Sequence, residues 1–205
     1  MLVKNREQLA VELLNIGAIR FGNFRLKLHE KNPDAPLSPI YIDLRLLRSF
    51  PDVIDSAVDV YRDLSNDFVF DVYADVPTAA TPIVAILSHV TRVPMISPRK
   101  DEKRHGTTAP IDGIFVPGQR VLLVDDLITN AGSKLETISV LEDNRLIVSG
   151  VVVLVDREQG GGLELEKKGY ACRAAFRLTE LLEFYSRTGL IHRDDYKRTL
   201  GYLHL

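Results

Sequence analysis

Apolar residues recur along the chain in alternating rhythms. Leu9, Leu13, Leu14 and Ile16 give an opening segment one helical face, which Gly17 ends, and residues 19–28 follow as an extended piece. The stretch 29–36 sets Pro33 and Pro36 among turn formers, so it predicts a loop before the extended segment 40–44. From about residue 52 the pattern alternates regularly: helix 53–64, strand 69–74, helix 81–90 and strand 95–96, then strand 121–124, helix 134–141, strand 150–155 and a polar helix 163–168. Helical stretches over 178–190 and 196–203 close the chain and predict packing rather than chemistry.

This is the βαβ rhythm of an α/β fold, a parallel sheet flanked by helices with a small N-terminal hood. One domain over 1–205 is expected, with hood elements over about 1–48 and the α/β core and C-terminal helices over about 49–205. Right-handed crossovers return every strand in the same direction, so the loops after the strands gather along one edge, where ligands of open α/β sheets bind. There is no internal repeat or low-complexity segment.

Composition narrows the class. A chain of 205 residues can bury a core without a metal or disulfide. Its single cysteine, Cys172, excludes an internal disulfide and fits a reducing compartment, so a cytoplasmic location is expected. No apolar run reaches membrane-spanning length and none follows the first positive charges, so neither membrane insertion nor export is expected. Twenty-six Lys and Arg nearly cancel 28 Asp and Glu, leaving a formal charge of −2 and no global field toward nucleic acid.

The most chemical stretch is 121–133. Val121, Leu122, Leu123 and Val124 form a strand buried on both faces, and Asp125 and Asp126 stand at its carboxyl end. Ala131, Gly132 and Ser133 then let backbone amides approach an anion at a helix start, where the dipole also favours negative charge. The run reads as a sugar-phosphate cradle whose acids face ribose hydroxyls, or a magnesium ion with its waters. It reads equally as an ordinary strand end, where an acid pair is solvated and helps cap the next element.

Three further segments change that balance. Arg99, Lys100, Lys103, Arg104 and His105 cluster between turn residues, either as a lid that closes over a polyphosphate or as a solvated charged loop. Arg157 follows the apolar strand at the same edge as Asp125, suited to pair a ligand carboxylate or a neighbouring acid, with Gly160, Gly161 and Gly162 as a turn beyond it. Residues 74–82, small around Thr78, join a strand to a helix at that edge.

Together these segments resemble the type I phosphoribosyltransferases, and within them the orotate branch. The stretch 121–133 is similar to the superfamily's motif for 5-phosphoribosyl 1-diphosphate. The segments 38–45, 99–106 and 156–161 are similar in order and spacing to the orotate branch in particular. The resemblance covers nearly the whole chain. It implies magnesium-dependent transfer of phosphoribose to N1 of orotate, giving orotidine 5'-phosphate and diphosphate in pyrimidine biosynthesis. By it, Asp125 and Asp126 hold the ribose hydroxyls and, indirectly, a magnesium ion carried mainly by substrate. Leu127, Ile128, Thr129, Asn130, Ala131, Gly132 and Ser133 form the phosphate loop; Thr78, Arg99, Lys100, Lys103 and His105 meet the diphosphate, with Lys103 stabilising the leaving group. Lys27 lies near both substrates, and Tyr41, Thr129 and Arg157 line the orotate pocket. A homodimer with the lid shared between subunits is implied, and no decarboxylase domain is present in these residues.

Three positions depart from the family's pattern. The proline-bearing loop after Lys27 is longer, which bears on the placement of Lys27. Asp75 stands where the diphosphate loop usually starts with Gly; facing a phosphate about 6 Å away, it would be repelled by roughly 3 kcal/mol at an effective dielectric near 20. Ala131 replaces a common Gly, and an alanine held at positive φ costs roughly 1–2 kcal/mol. These departures leave two alternatives beside the enzyme: a paralogue that binds the sugar diphosphate without turnover, and a transferase for another base.

Overall fold

The computed structural model describes residues 4–26, 28–99 and 110–203. Its main sheet has six strands in the order β5-β4-β3-β6-β7-β8: β3 Val72–Asp75, β4 Met95–Pro98, β5 Ile111–Asp112, β6 Arg120–Ile128, β7 Ile147–Asp156 and β8 Cys172–Arg177. All neighbours are parallel except the short β5, which runs antiparallel to β4. Helices α3 Pro51–Ser65, α4 Thr81–Thr91, α5 Gly132–Asp143, α6 Gly161–Lys167 and α7 Leu178–Arg187 flank the sheet.

Burial explains the central strands. Val121, Leu122, Leu123 and Val124 on β6 and residues 151–155 on β7 are wholly inaccessible. Full burial of such aliphatic side chains contributes roughly 1.5–3 kcal/mol each, which fixes these two strands at the centre. On one face α3 turns Val53, Ile54, Ala57, Val58 and Tyr61 inward, and Pro51 starts that helix where its missing N–H costs nothing.

The hood is a two-stranded antiparallel hairpin, β1 Ile19–Phe24 and β2 Ser38–Ile42, preceded by α1 Lys4–Asn15 and followed by a short 3-10 helix, Leu44–Ser49. Its apolar residues Leu9, Ile19, Ile40 and Leu47 join the same buried cluster as Val58, Leu122 and Val152. The final helix, α8 Arg193–Leu203, follows α7, and the buried Leu181 and Tyr185 of α7 belong to that cluster.

Several boundaries differ from expectation. The first extended piece ends at Phe24, and part of the expected loop is a one-turn helix, α2 Leu28–Lys31. The strand expected over 121–124 continues to Ile128, because β7 pairs with it up to Ile128 opposite Asp156; the acids therefore lie within a strand. The edge strand β8 and the two-residue β5 were not expected. Neither carries a run of β-branched residues long enough to register as a period.

Sheet order places the site. From β3 the chain crosses to β4 on one side, then returns to β6 on the other, so the connections diverge at the carboxyl ends of β3 and β6. That divergence opens the crevice in which ligands of such sheets bind.

Candidate active site

The crevice holds a cavity of about 250 Å³, with Val76, Pro77 and Ala79 from the loop after β3 facing Asp125, Asp126, Thr129 and Ser133 after β6. Both halves are tethered from outside. Arg48 of the 3-10 helix donates to the Thr78 carbonyl at 2.6 Å, and the buried Tyr61 hydroxyl donates to the Asp125 carbonyl oxygen at 2.7 Å.

The two carboxylates have different surroundings. Asp125 is buried; its Oδ1 accepts the Asp126 N–H at 2.9 Å and its Oδ2 lies 2.5 Å from Lys134 Nζ. Asp126 is half-buried, with Oδ1 accepting the Leu127 N–H at 2.7 Å. Burial, and then the charge of Asp125, push Asp126 up to about 7, so this carboxyl takes up a proton near neutral pH.

In the loop between β6 and α5, the Ala131 N–H donates to Glu164 Oε2 at 3.3 Å and the Gly132 N–H to Asn130 Oδ1 at 3.2 Å. These amides at the start of α5 already attract acceptor oxygens, one of them a carboxylate, as a helix N-terminus should. Ala131 has φ −85° and ψ −3°, ordinary right-handed geometry, and its methyl is buried in the core. The strain expected from a non-glycine residue there does not arise. Asp75 is fully buried: one oxygen accepts from the Thr81 hydroxyl at the start of α4, and the other has no partner among the described residues.

The loop after β7 is bonded to the end of β6 and the loop that follows it. The Arg157 N–H donates to the Ile128 carbonyl at 2.9 Å and the Gly161 N–H to the Thr129 carbonyl at 3.0 Å. Gly160 adopts φ +92°, and a Cβ on Gly161 would lie 2.6 Å from Ile128 Cγ1 and 2.9 Å from the Thr129 carbonyl oxygen. Only glycine fits both positions, so the turn is a close-packed contact. Arg157 itself is 8% exposed, and its Nε and Nη2 have no hydrogen-bond partner among the described residues. Burial pulls the guanidinium below its ordinary value, yet a group this basic stays charged. A buried cation with two idle N–H groups is suited to an anionic ligand with paired oxygens.

In the hood, Tyr41 packs against Phe24 with ring centroids 5.5 Å apart, and the Arg20 guanidinium lies over the Tyr41 ring at 5.1 Å. His29 is buried, with Nδ1 accepting the Leu26 N–H at 2.8 Å and Nε2 3.2 Å from the Ala35 carbonyl. It closes the longer loop upon itself. Lys27, Lys100, Lys103 and His105 lie outside the described residues. Arg99, at the end of β4, pairs with Asp112 on β5. Among the described residues no three His, Cys, Asp or Glu side chains group to hold a metal ion. No helix there is long and apolar enough to cross a membrane.

Sequence reasoning missed Lys134. A signal was available: a lysine in the first turn of a helix opposes the dipole and needs another reason to be there.

No family-wide sequence profile matches the chain. It is 34% identical over 180 residues to the orotate phosphoribosyltransferase of Chlamydia caviae, covering 87% of this chain and 84% of that protein. Against uridine 5'-monophosphate synthase of Bos taurus identity is 32% over 197 residues, 95% of this chain but 40% of the relative, so the chain spans about two-fifths of that protein's length. Among solved structures, UMP synthase of Leishmania donovani superposes with a TM-score of 0.85 at 34% identity, covering 97% of this chain and 42% of that one.

Proposed function

Because the chain belongs to the orotate phosphoribosyltransferase family, we propose that it transfers the phosphoribosyl group of 5-phosphoribosyl 1-diphosphate to N1 of orotate, as a single phosphoribosyltransferase domain. The bond from ribose C1 to the diphosphate oxygen breaks, the bond from C1 to N1 forms, and the products are orotidine 5'-phosphate and diphosphate. The observation that carries this reading is Arg157: a buried guanidinium with unpartnered Nε and Nη2, bonded through its backbone to the strand that bears the acid pair. Orotate is a pyrimidine with a carboxylate, the group this cation lacks.

In this reading Asp126, with Asp125 behind it, orients the ribose hydroxyls, and the amides of 129–133 hold the 5'-phosphate. Tyr41, Thr129 and Arg157 bound the base, and Lys27 lies between the two substrates. Arg99 roots the segment from which Lys100, Lys103 and His105 meet the diphosphate, with Lys103 stabilising negative charge as that group leaves. Two carboxylates, one of them already paired with Lys134, suit a hydrated magnesium ion held mainly through substrate oxygens. When bound, magnesium would supply charge neutralisation at the diphosphate. A homodimer sharing the 99–106 segment and a cytoplasmic location complete the proposal. Incubation with orotate, 5-phosphoribosyl 1-diphosphate and magnesium, followed by loss of orotate absorbance, tests it; no turnover at any enzyme concentration refutes it.

A further inference from the structure

Lys134 is the third residue of α5, a position where the helix dipole disfavours a cation. Its side chain is nonetheless only 5% exposed, against 6% for Asp125. Nζ lies 2.5 Å from Asp125 Oδ2 and donates to the Leu127 carbonyl at 2.6 Å. One ammonium therefore grips both the side chain of the first acid and the backbone just beyond the second. With Oδ1 accepting the Asp126 N–H, each Asp125 carboxylate oxygen has a protein partner. Asp125, Asp126 and Lys134 all line the cavity, and of the two acids Asp125 is the one whose oxygens are both taken.

We propose that Lys134 is a positioning residue of the sugar-phosphate site, which acts through Asp125 to lock the end of β6 onto the start of α5, leaving Asp126 as the acid presented to the ribose. The assignment rests on the reading that this site binds 5-phosphoribosyl 1-diphosphate. It has two physical parts. The buried pair fixes the spacing between the acids and the phosphate loop, which sit on opposite sides of one sugar. It also cancels one of two adjacent negative charges in a cavity meant for a polyanion; without the lysine, both carboxylates would face the ligand uncompensated. Effects of residues that act as a unit are not additive, which makes the idea measurable.

The experiment is a double-mutant cycle on the full chain: Lys134→Met, Asp125→Asn and the double variant, titrated calorimetrically with 5-phosphoribosyl 1-diphosphate in magnesium buffer and assayed for turnover. Lys134→Met is expected to weaken affinity about tenfold or more while kcat at saturation stays within about threefold. On the Asp125→Asn background the same change is expected to cost less than about threefold. If Lys134→Met does not fold, Lys134→Gln, whose amide still donates to the Leu127 carbonyl without the charge, replaces it in the cycle. Unchanged affinity, or equal losses on both backgrounds, overturns the assignment of Lys134 alone. Absence of binding by the unmodified chain overturns the functional reading on which it rests, a distinguishable result.

Discussion

Arg157→Met should make the protein more stable and useless to orotate. In the ligand-free chain the guanidinium is buried with Nε and Nη2 unpartnered among the described residues. Each unmet N–H costs roughly 1–3 kcal/mol, so the two together oppose folding by about 2–6 kcal/mol. Methionine keeps most of the apolar stem and removes the charge, at the cost of imperfect filling where the guanidinium lay. A net gain of about 2 kcal/mol is expected, which in a chain of this size raises Tm by roughly 4–8 °C. Calorimetric melts with and without orotate provide the assay. Orotate at about 100 times its Kd should stabilise the unmodified chain by about 2.7 kcal/mol through mass action, and the same concentration should leave the variant's Tm unmoved. A variant that melts below the unmodified chain, or that still responds to orotate, would refute the claim that Arg157 is held for a ligand.

Other consequences can be checked with single variants. Gly161→Ala forces a methyl against Ile128 and the Thr129 carbonyl; a loss of about 1–3 kcal/mol in urea melts and weaker sugar-phosphate binding are expected, and a change in neither would show that the loop yields freely. Asp126, pushed up to about 7, binds a proton in the folded chain between about pH 4 and pH 7 that the unfolded chain has released, so it makes stability fall as pH rises through that window. Asp126→Asn should flatten the fall, gaining on the order of 2–4 kcal/mol at pH 8 relative to pH 4 in metal-free urea melts; parallel curves would contradict this. His29→Ala removes the ring that joins Leu26 to Ala35, and a rise of about tenfold in KM with Tm lowered by only a few degrees is expected from steady-state assays and melts.

How much of this is legible in the sequence depends on the range of each interaction. The βαβ order, the crevice edge and the segment 121–133 follow from periodicity and turn chemistry, which are local, and from topological rules that are nearly universal. Strand β8 is invisible there because Cys172–Arg177 owes its conformation to pairing with β7, a tertiary effect. The conformation of Ala131 misleads for a similar reason. A substitution read against a pattern suggests strain, whereas the backbone there has settled at φ −85°. The Asp125–Lys134 pair spans a strand end, a loop and a helix turn, so neither residue alone announces the other. Arg157 can be named from its place after a strand, but its unpartnered N–H groups, which make it more than another surface cation, are visible only once burial is known.

The two main-chain bonds from Arg157 and Gly161 to Ile128 and Thr129 carry an evolutionary consequence. They tie the 157–161 turn to the end of β6 and to the loop that follows it, so a change of length in one is transmitted to the other. Sequence change on this side of the crevice therefore has to suit both loops at once. The longer loop between β1 and β2 is instead closed upon itself through His29, so its length can change without passing through that contact.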